Sequence, residues 1–159
     1  MSFVSYPDPR LSAPAAPRAV DDALRAIGER LLAAAREAKA YGLAAAHIGE
    51  IAPIVVVSAD ADGGDHRVLY SPRVIAVAGE TSKGEEGSVS LQGVRIDIDR
   101  PVWAEIAWQD ETGAARQERL EGFAARVALH EIEQMQGVFF LSKVSRLKRD
   151  MAIKRARKA

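Results

Sequence analysis

The chain has 159 residues, of which 48% are hydrophobic and 28% are charged, and its formal net charge is zero. A chain of this length can bury roughly 70% of the surface that it exposes when unfolded, so we expect a single domain over residues 1–159. The lack of cysteine excludes disulfides and thiolate metal sites, and no apolar run approaches the ~20 residues that span a bilayer, so we expect a cytoplasmic protein with no membrane partner.

The first third of the chain predicts an arm, a helix and a strand. Proline-rich YPDPRLSAPAAP at 6–17 indicates an ordered but irregular arm. A stripe of apolar residues then predicts an N-terminal helix that begins at Asp21 or Asp22. The residues of the stripe are Leu24, Ile27, Leu31, Leu32 and Ala35. Small residues in YGLAAAHIGE at 41–50 favour a turn region, and PIVVVS at 53–58 predicts a buried strand.

The rest of the chain predicts more strands and a second helix, which makes the fold α+β. RVLYSPRVIAVAG suggests short strands that break at Ser71 and Pro72, and VRIDIDR at 94–100 alternates like a half-buried strand. A hairpin is predicted around residues 110–113. A helix over 121–136 follows, with Gly137 as its C-cap. Its apolar positions are Phe123, Val127, Ala128, Ile132 and Met135.

The end of the chain is strongly basic. From Lys143 onward there are eight lysine or arginine residues against one acidic residue, Asp150, so this segment carries +7 and the preceding 142 residues sum to −7. A basic tail on an acidic body is typical of proteins that dock on polyanions. The alternative is a solvated helix whose cations favour the negative end of the helix dipole.

The second predicted helix carries LHEIEQMQG at 129–137, which begins like the H-E-x-x-H motif of zinc hydrolases. Positions i and i+4 share one face of a helix, so His130 and Gln134 point the same way and Glu131 lies on the adjacent rim. A glutamine amide is a weak ligand for zinc or iron(II). Taken alone, the stretch fits a core-facing histidine beside a surface glutamate better than a metal ligand beside its general base.

Three segments, in order, resemble the motifs of peptide deformylases. YGLAAAHIGE is similar to G-L-A-A-x-Q-x-G, KGEEGSVSLQG at 83–93 to E-G-C-L-S, and HEIEQMQG to H-E-x-D-H-L-x-G. The N-terminal arm, LYSPRV and LSKVSRLKR also fit, so the resemblance covers nearly the whole chain. It implies small mixed or antiparallel sheets around a central helix that carries HEIEQ, together with an N-terminal helix and a basic C-terminal helix at about 143–159.

The resemblance also implies a metal site, but two of its three ligands are changed. The family binds iron(II) or zinc through one cysteine and two histidines, and the matching positions are Ser88, His130 and Gln134. A serine hydroxyl does not ionise near neutral pH to become a strong ligand, and one imidazole alone holds zinc poorly. We therefore expect no cofactor, or zinc or iron(II) at low occupancy, at these vestigial positions.

Other catalytic positions of the family are partly kept. Glu131 matches the general acid/base, and Val89 stands where a backbone N–H donates to the oxyanion. His47 replaces the glutamine that donates a hydrogen bond to the same oxyanion. Glu86 and Arg100 match a buried ion pair, which we interpret as structural.

The resemblance also implies positions that bind the first residue of a peptide. Two of them, Gly42 and Leu43, match the family's first motif, and four are altered: Tyr41, Phe123, Arg126 and Val127. A charge against an apolar side chain is unfavourable unless it is paired, so an inward-facing Arg126 predicts an anionic ligand. The alternative is that Arg126 extends to solvent and the pocket is merely resized.

The sequence leaves three functions open. The first is a deformylase-like protein whose metal-dependent deformylation is lost or very weak, which binds peptide N-termini and docks on the ribosome through its basic helix, with no DNA partner. The second is a hydrolase or amidase with an altered metal site or with metal-free chemistry built from His47, Ser88, His130 and Glu131. The third is residual deformylation by water that Glu131 alone activates, which supplies far less rate than a metal-bound hydroxide.

Overall fold

The computed structural model describes residues 2–58, 60 and 63–158, which adopt an α+β fold. The helices in this part of the chain are α1 (Asp22–Ala38), α2 (Gly122–Met135) and α3 (Arg146–Lys158). The strands are β1 (Gly42–Ala44), β2 (Ile54–Ser58), β3 (His66–Val77), β4 (Thr81–Ser88), β5 (Leu91–Pro101), β6 (Trp103–Gln109) and β7 (Ala115–Glu121). Short 3-10 helices cover Pro9–Ser12, Ala45–Ile48 and Phe140–Lys143.

Two antiparallel sheets surround the helix that carries the HEIEQ motif. Strands β1, β2, β3, β6 and β7 form one sheet in that spatial order, and β4 pairs with β5 as a separate hairpin. Helix α2 packs against strands of the larger sheet and also contacts β5. This arrangement confirms the predicted fold class and places the motif helix between the sheet and the hairpin.

The two predicted amphipathic helices form for the expected reasons. The carboxylate of Asp21 caps α1 by accepting a hydrogen bond from the backbone N–H of Leu24 at 2.8 Å. Leu24 and Leu31 are fully buried in a core that they share with β2. Helix α2 buries its apolar face on the other side of the same strand, and Gly137, at φ 86°, follows its last turn.

The predicted alternation of VRIDIDR is also present. Val94, Ile96 and Ile98 of β5 are buried and their neighbours Arg95 and Asp97 are exposed. The buried side chains pack against the C-terminal helix α3, so the hairpin has one covered face and one solvated face.

Three local predictions are wrong. Strand β3 does not break at Ser71 and Pro72; its pairing with β6 shifts register between Tyr70 and Arg73, and this irregularity accommodates a proline that has no N–H. Residues 41–50 contain β1 and a 3-10 helix instead of a simple turn. The C-terminal helix begins at Arg146 and not at about residue 143, because Phe140–Lys143 form a separate 3-10 helix. No helix in the described residues is long and apolar enough to cross a membrane.

Candidate functional site

A cleft of ≈ 510 Å³ lies between the β4–β5 hairpin, helix α2 and the segment that leads into β1. It is lined by most of the site residues predicted from the sequence, namely Tyr41, Gly42, His47, Ser88, Val89, Phe123, Arg126, Val127, His130 and Glu131. Two predicted residues are not part of the lining. Leu43 is fully buried in the core next to α1, and Gln134 is buried against the N-terminal arm.

One wall of the cleft is apolar. The rings of Tyr41 and Phe123 meet edge to face with their centroids 4.9 Å apart, and both side chains remain partly exposed. Val127 lies one helical turn after Phe123, on the same face of α2, and is buried. This wall offers apolar surface to a side chain of a bound ligand.

Glu86, near the end of β4, is the charged centre of the opposite wall. Its Oε1 accepts hydrogen bonds from His130 Nδ1 at 2.7 Å and Arg100 Nη2 at 2.9 Å, and its Oε2 accepts from Arg100 Nε at 2.9 Å. Burial alone would raise the pKa of Glu86, but the hydrogen bonds from His130 and Arg100 outweigh it and lower the pKa to about 2. The carboxylate is therefore ionised and holds the His130 ring in one orientation.

The Arg126 side chain is mostly buried, with 14% exposed, and its charge is paired within the protein. Its Nη1 donates to Glu86 Oε2 at 2.8 Å and to the carbonyl of Ile98 at 2.8 Å, and its Nη2 donates to the carbonyl of Ser82 at 2.8 Å. The guanidinium thus clamps both strands of the β4–β5 hairpin onto α2. The prediction of an anionic ligand is wrong, because the guanidinium that would attract such a ligand is already paired. The alternative, an arginine that extends to solvent, is also wrong, because the guanidinium is bound to β4 and β5.

Glu131 lies on the floor of the cleft and, unlike Glu86, has a carboxylate oxygen that accepts no hydrogen bond from the part of the chain that the structure describes. Its side chain is 8% exposed, and its Oε1 has no hydrogen-bond partner among the described residues. Burial raises the pKa of Glu131 to about 7, and the negative charge of Glu86 acts in the same direction. A Cβ atom at Gly42 would lie 2.8 Å from Glu131 Cγ, so the absence of a side chain at Gly42 lets Glu131 pack against β1.

His47 faces Glu131 from the 3-10 helix that follows β1. Its Nδ1 accepts a hydrogen bond from the backbone N–H of Ala44 at 3.0 Å, so the neutral ring carries its proton on Nε2. Burial and the nearby His130 lower the pKa of His47 to about 3, which keeps the ring neutral. His130 behaves in the opposite way: burial opposes its charge, but Glu131 and Glu86 outweigh burial and raise its pKa.

The residues at the three matched ligand positions do not fit zinc or iron(II). Gln134 uses its side-chain Nε2 to donate a hydrogen bond to the backbone carbonyl of Leu11 at 2.6 Å. Ser88 offers a hydroxyl that accepts a hydrogen bond from the backbone N–H of Ser90 at 3.1 Å. His130 is left as the one strong donor of the set, and zinc sites in proteins need three or four such ligands. Across the described residues, no group of three or more His, Cys, Asp or Glu side chains is placed to hold a metal ion.

The geometry does not favour the metal-free hydrolase either. Within the described part of the chain, no hydrogen bond joins the Ser88 hydroxyl to His47, His130 or Glu131, and His130 Nδ1 is committed to Glu86. A serine nucleophile requires a base within hydrogen-bond reach. Ser88 is therefore placed as a lining residue.

Two contributors to the site were missed by the sequence analysis. Glu86 was interpreted as purely structural, but it also orients His130 and pairs with Arg126. Glu133 is a second carboxylate partner of Arg100, at 2.7 Å. No local pattern points to these contacts, because each joins residues 33 or more positions apart: Glu86 and His130, for example, are 44 positions apart. The N-terminal arm also braces the site, since the backbone N–H of Val4 donates to the carbonyl of His47.

Comparisons with known proteins agree on one family. A family model described as polypeptide deformylase matches residues 1–150. A "Peptide deformylase-like" protein of Brucella melitensis is 36% identical over 157 residues, which cover 98% of this chain and 95% of that protein. A peptide deformylase of Rhizorhabdus wittichii is 35% identical, over 99% of this chain and 93% of its own length. The crystal structure of peptide deformylase from Ehrlichia chaffeensis superposes with a TM-score of 0.91 at 27% identity, over 99% of this chain and 95% of that chain.

Proposed function

The chain belongs to the peptide deformylase family, and from that premise we propose that it binds peptide N-termini in its cleft without carrying out metal-dependent deformylation. The absence of metal-dependent deformylation is inferred from the residues at the three ligand positions. They are a serine, a histidine, and a glutamine whose amide donates to the Leu11 carbonyl. When a catalytic metal is bound, it lowers the pKa of its water to about 7 and so makes hydroxide available. Ser88 and Gln134 supply neither a thiolate nor a second imidazole to hold such an ion.

Peptide binding is supported by the parts of the cleft that are complete. Tyr41, Phe123 and Val127 provide an apolar wall, and Val89, in the turn between β4 and β5, also lines the cleft. The Glu86 cluster is fully hydrogen-bonded, so the hairpin and α2 are held at a fixed separation. A pre-formed cleft of this kind binds a ligand without first ordering itself.

Binding and turnover are separated by one pair of assays. Anisotropy of a Met-Ala-Ser peptide labelled at its C-terminus measures binding, and formate release from the N-formyl form measures hydrolysis after incubation with iron(II), cobalt(II) or zinc(II). Saturable binding without formate release is expected. Formate release at a rate comparable to that of an active deformylase would contradict the proposal, and so would a complete lack of binding.

A matched pair of variants locates the binding site. Ser88→Trp places a large ring in the cleft and should abolish binding, because Ser88 lines it. Lys83→Trp introduces the same ring at an exposed position on the same strand and should leave binding intact. Equal affinities of the two variants would show that the peptide binds elsewhere.

The basic helix α3 supports docking of this domain on the ribosome. Ala152 is buried against β5, with Ile153 and Ala156 half-buried beside it, so the helix is fixed to the hairpin, while Lys154 and Arg157 are exposed. Neutralising phosphate charges releases counterions, so such binding weakens steeply as salt rises.

Co-sedimentation with ribosomes at increasing salt tests this docking. Deletion of residues 146–159 should abolish it, and Lys154→Gln with Arg157→Gln should weaken it without uncovering β5. Binding that is absent, or that does not change with salt, would remove the ribosome from the proposal.

A further inference from the structure

Two buried polar atoms on the floor of the cleft have no hydrogen-bond partner among the described residues: Nε2 of His47 and Oε1 of Glu131. The side chains are 2% and 8% exposed, and His47 Nδ1 lies 3.9 Å from Glu131 Oε1. Buried polar atoms in folded proteins are nearly always satisfied. Both residues line the cleft, so an unpaired donor and an unpaired carboxylate oxygen at its floor indicate a ligand that pairs with both.

The two atoms have different hydrogen-bonding roles. The backbone N–H of Ala44 donates to His47 Nδ1, so His47 Nε2 carries a hydrogen and is a donor. Glu131 Oε1 is an acceptor when the carboxyl is ionised. The ligand that fits therefore presents a hydrogen-bond acceptor to His47 and a donor to Glu131.

The charges around the floor favour a cationic donor. Glu86 is hydrogen-bonded by Arg100, Arg126 and His130, and Glu133 is hydrogen-bonded by Arg100 and Lys143. Glu131 Oε1 receives no donor: His47 faces it with a neutral ring, and His130 directs Nδ1 to Glu86. His130 interacts with Glu131 through its charge and makes no hydrogen bond to it, and a buried carboxylate oxygen without a donor is costly. A ligand cation that donates to this oxygen recovers much of that cost.

We propose that the floor of the cleft selects peptides with a free α-ammonium terminus over peptides whose terminus is acylated. The ammonium group donates to Glu131 Oε1, and the carbonyl oxygen of the first residue accepts from His47 Nε2. Both ligand groups belong to one residue, and the two protein side chains are neighbours, since His47 Nδ1 lies 3.9 Å from Glu131 Oε1. A formylated or acetylated terminus offers a neutral amide in place of the ammonium group. This selectivity rests on the proposed function, since it names which peptide N-termini the cleft binds.

Three labelled Met-Ala-Ser peptides that differ only in a free, formylated or acetylated terminus test the selectivity. We expect the free terminus to bind about tenfold more tightly than either acylated form, as a charge-assisted hydrogen bond implies. Glu131→Gln should remove this preference, because the amide pairs with either terminus but carries no charge. Glu80→Gln removes an exposed carboxylate in the turn after β3 and should leave the preference unchanged.

The possible outcomes distinguish a failure of the selectivity from a failure of the proposed peptide binding. Acylated peptides that bind as tightly as the free peptide, or a preference that survives Glu131→Gln, would overturn the selectivity and leave peptide binding in place. A lack of binding by all three peptides would overturn both. Thermal unfolding checks that Glu131→Gln is folded, and no loss of stability is expected, since a neutral amide replaces a buried carboxylate that lacks a hydrogen-bond donor.

Discussion

Glu86 and Glu131 are buried carboxylates that line one cleft, and their removal should change stability in opposite directions. The pKa of Glu86 falls from 4.5 to about 2, because the hydrogen bonds from His130 and Arg100 outweigh the effect of burial. At about 1.4 kcal/mol for each pH unit, the ionised group stabilises the fold by about 3 kcal/mol. Removing one partner of a buried ion pair costs a similar ~3–5 kcal/mol. We therefore expect Glu86→Gln to lose about 3 kcal/mol of unfolding free energy near pH 7.

Glu131→Gln is the matched comparison. Burial raises the pKa of Glu131 from 4.5 to about 7, so ionisation of this group opposes folding. The free-energy cost of ionising Glu131 in the folded protein is absent below pH 4.5, the pKa of the group in the unfolded chain. This cost grows as pH rises towards 7 and is then constant. The variant should match wild type near pH 4 and exceed it by up to about 3 kcal/mol near pH 8.

Urea unfolding followed by tryptophan fluorescence, from about pH 3.5 to about pH 8, measures both effects. The difference between wild type and Glu86→Gln should be constant above the unfolded pKa of 4.5 and should shrink as pH falls from there towards 2, because the depressed pKa confers stability only on the ionised form. The difference for Glu131→Gln should appear only as pH rises. If both variants lost equal stability at every pH, the contrast between a satisfied and an unsatisfied carboxylate would be wrong.

Three further variants test individual contacts. Gly42→Ala should weaken peptide binding and cost about 1–3 kcal/mol of stability in urea unfolding. The reason is that the added Cβ would lie 2.7 Å from Val127 Cγ1 and 2.8 Å from Glu131 Cγ. Unchanged binding would show that Glu131 needs no such close packing. Gln134→Leu should cost about 1–3 kcal/mol, because the Leu11 carbonyl loses its donor, and a neutral effect would show that water replaces it. Ser88→Cys combined with Gln134→His should bind zinc, measured by competition with a chromogenic chelator, and failure would show that more than the ligands is missing.

The sequence predicted those parts of the fold that depend on local patterns. Helix α1 follows from the spacing of Leu24 and Leu31, and β5 follows from the alternation of Val94, Ile96 and Ile98. The continuity of β3 through Pro72 could not be predicted, because it depends on pairing with β6, more than 30 residues away in the chain. Pairing with a distant strand decides whether a proline ends a strand or is accommodated as a bulge.

For the candidate site too, the sequence predicted which residues take part but not the contacts that they make with distant residues. Ordered motifs identified His47, Ser88, His130 and Glu131, and the structure brings these residues to one cleft. The orientation of Arg126 could not be predicted, since its partners lie on β4 and β5, 28 to 44 positions away. The His47–Ala44 hydrogen bond is local and was overlooked; a polar side chain three residues after a backbone N–H is a pattern that could have suggested it.

The metal content of the wild-type protein after equilibration with iron(II), cobalt(II) and zinc(II) tests the central claim most directly. Plasma mass spectrometry of gel-filtered protein should find far less than one ion per chain, because Ser88, His130 and Gln134 supply a single strong ligand. The Ser88→Cys, Gln134→His variant, treated identically, should retain metal. A full equivalent of metal in wild type, accompanied by formate release from a formyl-Met peptide, would contradict a cleft that binds N-termini without deformylating them.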